Sequence, residues 1–378
     1  MRKQATVRSA FAGIGVASLL ALAAPAQAQE IPVMSIGALT GAAGFAGVVE
    51  TNGIRMAFDE ANAKGLLGNA KVKLIEGDDA TDKGQAISLA EQAIKRHEVV
   101  LSLGPTISPN AIAIAPVFNE AKTPMISFAT SNAITAVGPY VFRIQMSPVE
   151  TVPPLVKYMT DTAKARKIAI VYDKSNDAFV EGKGIFTEAL KASGGTVVAE
   201  EAVLSKDTNF VALATKLASA DIDGVYLIAL VEQAANIIIQ LKQAGISEKV
   251  KFFGEQGLAS PRLSAIGGKA VEGTIFPGQY LAGVDRPLNK AFEQAYKARY
   301  NAEPDFFAAV GYSMGLVALQ ALKNAGPNPT RDGVRDAIQS LKDVPVVVGN
   351  GLWNHKDRNG LYGVVITTLK DGKMVVAQ

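Results

Sequence analysis

Hydroxyl groups follow two consecutive predicted strands in the first third of the chain. The first lie in Gly104-Pro105-Thr106-Ile107-Ser108-Pro109-Asn110, which ends an apolar run and opens a helical pattern with Ser108 at the expected N-cap. The second lie in Ala129-Thr130-Ser131-Asn132, after a predicted strand at 124–128. Free amides and a hydroxyl at a helix N-terminus bind anions. Two such loops at one sheet edge predict a carboxylate site; the alternative is that Ser108 and Ser131 only cap helices.

A second pattern suggests a nucleophile. The sequence contains Gly311-Tyr312-Ser313-Met314-Gly315, and Asp332 or Asp343 and then His355 follow in the chain order of an α/β-hydrolase. However, residues 306–324 have the period of one continuous helix with apolar residues facing a core. Only 42 residues separate the serine from His355, which leaves little sheet after a nucleophile elbow. We therefore interpret the glycines as helix-packing positions and expect no enzyme.

A glycine-rich loop follows the first predicted strand. Gly41, Gly44 and Gly47 have the spacing GxxGxxG, whereas a dinucleotide site requires GxGxxG. The loop is better interpreted as a ligand-facing turn in which Phe45 covers the apolar end of a ligand.

Cysteine is absent, and the two histidines, His97 and His355, are far apart in sequence. The chain therefore has no disulfide, no thiolate nucleophile and no histidine cluster for a catalytic metal. We expect neither a metal nor a cofactor, and this composition favours binding over catalysis.

The surplus of basic residues is confined to the first 28 positions. The whole chain has 38 Lys and Arg against 35 Asp and Glu, and residues 1–28 contain three basic residues and no acid. This basic start, the apolar stretch at 10–24 and the final Ala26-Gln27-Ala28 predict a cleaved signal peptide and a periplasmic protein. Beyond residue 28 we predict no membrane span, and the balanced charge predicts no nucleic-acid partner.

From residue 31 onward, short apolar runs alternate with stretches of helical period. Strand patterns at 31–39, 72–76, 99–103 and 124–128 alternate with helical patterns at 48–64, 85–96 and 109–121. A second series extends from 168 to 254. Such alternation indicates βαβ units and mostly parallel sheets. The remainder is too short for a third domain, so it must complete the first two.

These patterns predict an α/β protein of two Rossmann-like, doubly wound lobes in a Venus-flytrap arrangement. The predicted division assigns 29–147 plus 279–345 to lobe 1 and 148–278 plus 346–378 to lobe 2, with hinge crossings near 143–147, 278–282 and 346–351. Ligands bind outside the carboxyl ends of parallel strands. We therefore expect one cleft between the lobes and hinge closure around a ligand.

Several short segments, spread in order along the chain after residue 28, are typical of one family. They are Ile36-Gly37-Ala38-Leu39-Thr40-Gly41, Asn52-Gly53-Ile54-Arg55-Met56-Ala57, Glu60-Ala61-Asn62-Ala63-Lys64-Gly65, Asp78-Asp79-Ala80-Thr81-Asp82, Phe253-Gly254-Glu255-Gln256-Gly257 and Gly351-Leu352-Trp353. With these segments the chain resembles the leucine/isoleucine/valine-binding proteins, which are periplasmic receptors of ABC importers with the type I periplasmic-binding fold.

The resemblance implies where a ligand carboxylate is held. The carboxylate-binding serine of the family matches Ser108, and the turn that supplies main-chain groups and a hydroxyl matches Ala129, Thr130 and Ser131. Phe45 matches an aromatic residue that covers the ligand.

The resemblance also implies an ammonium partner that this chain lacks. The family's glutamate aligns with Gln256, whose neutral amide cannot supply the charge-assisted strength of a carboxylate. Glu255 is adjacent, but neighbouring side chains on a strand point to opposite faces. If the ligand carries an ammonium, Asp177 and Glu232 are the alternative partners.

Two family tyrosines fall near Phe179 and Leu230, so the resemblance implies a more apolar wall on the second lobe. Together with Gln256, this favours an aromatic or branched carboxylic acid without an ammonium. A branched-chain or other hydrophobic amino acid remains the alternative.

We therefore predict the extracytoplasmic substrate-binding protein of an ABC importer. We expect a monomer that closes on a small hydrophobic carboxylate and delivers it to the permease subunits at the membrane. A ligand sensor for a membrane receptor would share the same fold and pocket, and a serine hydrolase is the remaining alternative.

Overall fold

The computed structural model of this chain describes Met1 and residues 29–378. Apart from Met1, the predicted signal peptide at residues 1–28 lies outside the described residues. The strands are β1 (Gln29–Gly37), β2 (Ala70–Asp78), β3 (Leu101–Leu103), β4 (Met125–Ser127), β5 (Val141–Arg143), β6 (Lys167–Asp173), β7 (Thr196–Val203), β8 (Gly224–Ile228), β9 (Lys251–Gly254), β10 (Ile275–Gly278), β11 (Val344–Pro345), β12 (Leu352–Lys356), β13 (Asn359–Leu361), β14 (Val365–Lys370) and β15 (Lys373–Val376).

The α-helices of the same part of the chain alternate with most of these strands. They are α1 (Gly44–Lys64), α2 (Lys83–Lys95), α3 (Ser108–Glu120), α4 (Asn132–Ala136), α5 (Pro148–Asp161), α6 (Asp177–Ala192), α7 (Val211–Ala218), α8 (Val231–Gln243), α9 (Pro261–Gly267), α10 (Pro287–Tyr300), α11 (Phe306–Ala325) and α12 (Arg331–Ser340).

The strands form two sheets. The first has the order β11-β12-β13-β5-β4-β3-β1-β2, and the second has the order β15-β14-β10-β9-β8-β6-β7. The pairs among β1 to β5 and among β6 to β10 are parallel. Strands from the C-terminal part extend one edge of each sheet, and their pairs are antiparallel except for β13, which runs parallel to β5. Two α/β lobes built from βαβ units are therefore confirmed.

The predicted assignment of all of 346–378 to lobe 2 is wrong. Strands β12 and β13 belong to the first sheet, where Asn359 pairs in parallel with Arg143. The indole of Trp353 also donates a hydrogen bond to the Ile144 carbonyl at 3.0 Å. The chain therefore returns to the second sheet only after β13, near Tyr362. The apolar tail pattern did not reveal which sheet each strand would join.

Helices α1 and α11 pack so closely that their glycines are required. A Cβ at Gly53 would overlap the carbonyl of Ala308, and one at Gly311 would overlap the carbonyl of Glu50. This contact holds the glycine-rich loop after β1 against the start of α11, so residues from both segments meet at one edge of the sheet.

Ser313 lies inside α11 and not at a strand-to-helix turn. Its buried hydroxyl donates to the Ala309 carbonyl at 2.8 Å and accepts from the Val347 amide at 3.3 Å. His355 lies on β12, with its Nε2 atom 3.1 Å from the Gln339 carbonyl. Because Ser313 is buried in the middle of a packed helix, it cannot act as an exposed nucleophile and the hydrolase interpretation fails. The close contacts of Gly311 and Gly315 with α1 confirm that these glycines serve helix packing.

Helix α11 has the length and hydropathy of a membrane span, although no span was predicted beyond residue 28. In the structure 83% of its most apolar 18-residue window is buried. Its apolar surface therefore packs within the first lobe, mainly against α1.

Candidate functional site

A cleft of about 610 Å³, a volume that includes space open to solvent, lies where the carboxyl ends of the parallel strands of both sheets meet. The loops after β1, β3 and β4 form the wall of the first lobe, and the loops after β8 and β9 form much of the second. Seven of the eight predicted ligand contacts line this cleft, namely Phe45, Ser108, Ala129, Thr130, Phe179, Leu230 and Gln256. Ser131 does not line it with its side chain.

The hydroxyl of Ser108 is the centre of a group of hydrogen-bond donors. Ser108 is the first residue of α3, with Ile107 at the N-cap, so its side chain does not cap its own helix. Instead, its oxygen accepts from the amides of Thr130 and Ser131, each at 3.3 Å. One hydroxyl and two main-chain amides from neighbouring loops thus converge at the cleft, an arrangement suited to a carboxylate.

Arg143 lies behind this group and polarises it. Its buried guanidinium donates to the Thr130 carbonyl and, at 3.0 Å, to the Asn132 side chain. The Thr130 carbonyl and the Ser131 amide belong to one peptide group, so the guanidinium strengthens that amide as a donor. Burial lowers the pKa of Arg143 to about 10, partly opposed by nearby carboxylates, and it stays charged at neutral pH. Sequence reasoning treated Arg143 only as part of a crossing.

Ser131 connects the two lobes. Its oxygen accepts from the Ala133 amide as the N-cap of α4, and its hydroxyl donates to the Glu181 carboxylate on α6 at 2.8 Å. The Asn132 amide donates to the same carboxylate at 3.1 Å. The Ser131 side chain is thus engaged with the other lobe, and only its main chain joins the donors around Ser108.

Phenyl rings form the opposite part of the cleft. The ring of Phe307 contacts Phe45 edge-to-face, with centroids 5.7 Å apart, and stacks on Phe128 at 6.0 Å. Phe306 packs against both Phe128 and Phe307. Phe179, from the second lobe, lines the same cleft. This wall favours a flat or branched apolar group.

Neither alternative ammonium partner lines the cleft. Asp177 is exposed at the start of α6. Glu232 pairs with Arg262, whose guanidinium lies 5.2 Å from the Phe45 ring centroid. Glu232 is therefore near an aromatic residue of the cleft, but its carboxylate is already paired with Arg262 and is not free for a ligand ammonium.

Glu255 lines the cleft, although strand alternation predicted the opposite. Strand β9 ends at Gly254 and residues 256–258 form a 3-10 turn, so alternation no longer applies and both Glu255 and Gln256 face the cleft. Burial raises the pKa of Glu255 to about 7, opposed by a hydrogen bond from the Gly257 amide. Among the described residues that line the cleft, it is the one ionisable side chain.

Gln256 is bound to the hinge through both atoms of its amide. Its Nε2 atom donates to Gln145 at 3.2 Å, and its Oε1 atom accepts from Gln279, which in turn accepts from the Tyr362 hydroxyl. Gln145, Gln279 and Tyr362 stand at the three places where the chain passes between the lobes. A chain of hydrogen bonds thus connects the floor of the cleft to every crossing.

Comparison with known proteins identifies the family. The family model described as periplasmic binding protein matches residues 5–373. The chain belongs to this family. The periplasmic binding protein is also 28% identical to the leucine-specific-binding protein of Salmonella typhimurium over 375 residues, which cover 96% of this chain and 98% of the relative. The predicted resemblance to leucine/isoleucine/valine-binding proteins is confirmed, and the protein is a transport component and not an enzyme.

Solved structures share the fold of this periplasmic binding protein. A leucine binding protein from Thermotoga maritima has a TM-score of 0.85 at 25% identity, covering 92% of this chain and 98% of its own. A solute binding protein from Rhodopseudomonas palustris, in complex with 3,4-dihydroxy benzoic acid, has a TM-score of 0.82 at 24% identity, covering 91% and 95%. The type I periplasmic-binding fold is therefore confirmed.

Proposed function

We propose that this periplasmic binding protein is the exported substrate receptor of an ABC importer for a hydrophobic carboxylate. The ligand is an aromatic or branched carboxylic acid without an ammonium group. The observation that carries the proposal is the convergence of the Ser108 hydroxyl and the Thr130 and Ser131 amides at one part of a cleft whose other walls are phenyl rings. We further propose that the receptor acts as a monomer after cleavage of a signal peptide before Gln29.

The donors around Ser108 supply the hydrogen bonds that a carboxylate needs when it leaves water. They are neutral, but the charged Arg143 behind them contributes a favourable field without touching the cleft. A carboxylate entering this group replaces the weak contacts between the Ser108 oxygen and the two amides with stronger charge-assisted ones.

Two features argue against an ammonium group on the ligand. The amide of Gln256, which stands at the position of the family's glutamate, is already bonded on both atoms by Gln145 and Gln279. Glu255 has a pKa near 7, so at neutral pH it is charged for only part of the time. The cleft thus offers an ammonium no permanently charged partner.

Transport follows from closure. Residues from both lobes contact the same small volume, so a ligand has more favourable contacts when the lobes are together than when they are apart. The ligand therefore has a higher affinity for the closed state than for the open state, and this difference shifts the population toward the closed state. The permease then distinguishes the closed receptor from the open one.

A hydrophobic amino acid is the second candidate. Glu255 in the cleft favours it, because an ammonium beside this carboxyl would lower the pKa and hold it ionised. The name of the leucine-specific-binding protein supports the same candidate.

Matched ligand pairs test the proposal. The mature protein is screened by thermal shift against leucine and 4-methylpentanoate, and against phenylalanine and 3-phenylpropanoate, with benzoate as a fifth compound. Each pair differs only in the amino group. Stabilisation by the carboxylic acids, confirmed by calorimetry, supports the proposal. Stabilisation by the amino acids alone overturns the ammonium-free site and assigns their ammonium to Glu255.

A further inference from the structure

A smaller and narrow cavity, with room for about one water-sized group, adjoins the cleft on the side of the second lobe. The two share Thr130, Ala178, Phe179, Glu255 and Gln256. A ligand whose carboxylate lies at Ser108 and whose body passes Phe179 therefore reaches toward this inner cavity.

Two polar groups in this cavity have unused hydrogen-bonding capacity. Of the Glu255 carboxyl, Oε1 accepts from the Gly257 amide at 3.2 Å, and Oε2 has no partner among the described residues. The hydroxyl of Tyr226, a residue that is 1% exposed, likewise forms no hydrogen bond with a described residue. The Tyr226 ring stacks on Phe186 with centroids 4.0 Å apart, which fixes its orientation.

The other residues that line this cavity include the apolar side chains of Val152, Phe179 and Ile228 together with Thr130 and Thr151. A buried polar group without a partner costs free energy, so Glu255 and Tyr226 lose least when the ligand brings a polar atom to them. An entirely hydrocarbon ligand end would leave both unsatisfied, and the cavity would reject it in part for that reason.

We propose that Glu255 and Tyr226 form a subsite for a hydroxyl group at the end of the ligand's hydrophobic body. The preferred ligands are then hydroxylated carboxylic acids, with a phenol ring as the group that best matches the phenyl walls. This inference deepens the proposed function and rests on it.

A hydroxyl fits the two groups better than an ammonium does. It both donates and accepts, so it pairs with Glu255 whether the carboxyl is protonated or ionised, while Tyr226 supplies the complementary donor or acceptor. An ammonium donates three hydrogen bonds and needs an ionised partner. Gln256 also lines this cavity, but its side-chain oxygen already accepts from Gln279.

The test measures a ratio of affinities. Calorimetry compares benzoate with 4-hydroxybenzoate, and 3-phenylpropanoate with 3-(4-hydroxyphenyl)propanoate, for the wild type and the variants Tyr226→Phe and Glu255→Met. We expect the wild type to prefer each hydroxylated acid by about tenfold, which is the effect of one well-made hydrogen bond. Each variant should bring that ratio close to one. Tyr158→Phe is the control, because the Tyr158 hydroxyl bonds to the Gln378 carbonyl outside the cleft and its loss should leave the ratio unchanged.

The outcomes separate this inference from the proposed function. If the parent acids bind but the hydroxyl gives no preference, or if the preference survives in both variants, the hydroxyl subsite is wrong and the carboxylate receptor stands. If none of the four acids binds and leucine or phenylalanine does, both proposals fail together. A Glu255→Met variant that loses only the amino acids would then assign this carboxyl to an ammonium. Circular dichroism and melting curves verify that each variant is folded.

Discussion

The hydroxyl of Ser131 donates a hydrogen bond of 2.8 Å to the carboxylate of Glu181, and the two residues belong to opposite lobes. The carboxylate also accepts from the Asn132 amide at 3.1 Å, at the N-terminus of α4. These bonds exist only when the lobes are close. Because the Ser131 amide belongs to the donors around Ser108, the contact between lobes and the predicted carboxylate site share one residue.

Glu181→Ala should weaken ligand binding by about tenfold, although Glu181 does not line the cleft, because the closed state loses hydrogen bonds to a charged group that the open state never had. Calorimetry with the best ligand of the screen measures the affinity. Without ligand, small-angle scattering should give Glu181→Ala a larger radius of gyration than the wild type. Glu188→Ala, an exposed position on the same helix, should match the wild type. Equal affinities in all three proteins would contradict a role of Glu181 in closure.

Ser108→Ala should lower the affinity for carboxylate ligands by about 10- to 100-fold, because the ligand loses a charge-assisted hydrogen bond in a buried site. Ser102→Ala is the matched control. Ser102 lies on β3, is buried, and its hydroxyl has no partner among the described residues. The control should bind as the wild type does. An affinity of Ser108→Ala within error of the wild type would remove the carboxylate assignment.

Gln256→Glu should lower the affinity for carboxylic acids by at least about tenfold. The new carboxylate would stand beside Glu255 and could no longer donate to Gln145, so charge repulsion and a lost hinge bond act in the same direction. Gln243→Glu, at an exposed end of α8, controls for the change in net charge. If the variant instead gained affinity for leucine, the cleft would be an amino-acid site.

Glu255 should make stability depend on pH. Its pKa is about 7 in the folded protein, against an ordinary value of 4.5, so between these values the native state binds more protons than the unfolded chain. The free energy of unfolding therefore falls as the pH rises through this window, by on the order of 3 kcal/mol in total for this group. The Glu255→Gln variant has no ionisable group at this position, so its stability lacks this contribution to the pH dependence. In urea titrations without ligand, the variant should gain stability over the wild type from pH 4.5 to 7 and show a constant difference above pH 8. A difference that is constant throughout would show that the carboxyl is not buried.

Gly53→Ala should destabilise the first lobe by about 3 kcal/mol, because the new methyl group overlaps the backbone of α11 and the helices must separate. Gly184→Ala is the contrasting change. Nothing lies within 4 Å of a Cβ at that position of α6, and alanine should raise the free energy of unfolding by about 0.5 to 1 kcal/mol. Urea unfolding measures both. A neutral Gly53→Ala would mean that the two helices tolerate a larger separation.

The parts of this structure that follow from local pattern were predictable. Alternating apolar runs and helical periods identify the two sheets, and the position of ligands at the carboxyl ends of parallel strands brings the loops of Ser108 and Thr130 together. The helical period also rejects the hydrolase interpretation of Ser313. In each case the information lies within about 20 residues of sequence.

The parts that depend on distant contacts were not predictable in the same way. Glu181 is 50 residues from Ser131 in sequence, and nothing local indicates that a helix of the second lobe will meet that turn. Strands β12 and β13 are short and half-exposed, so their pattern fits either sheet. The orientation of Glu255 was missed for a local reason. Strand β9 ends at Gly254, so the alternation of side chains along a strand does not extend to Glu255.

The hydrogen-bond chain from Tyr362 through Gln279 and Gln256 to Gln145 has a consequence for conformational entropy. Sliding or twisting one crossing relative to another would stretch these bonds, whereas rotation about a common axis preserves them. We therefore expect the open receptor to sample a narrow set of lobe orientations. Since less disorder is lost on closing, more of the ligand's interaction energy remains as affinity. The permease of the proposed importer would then encounter two well-defined shapes and not a broad distribution.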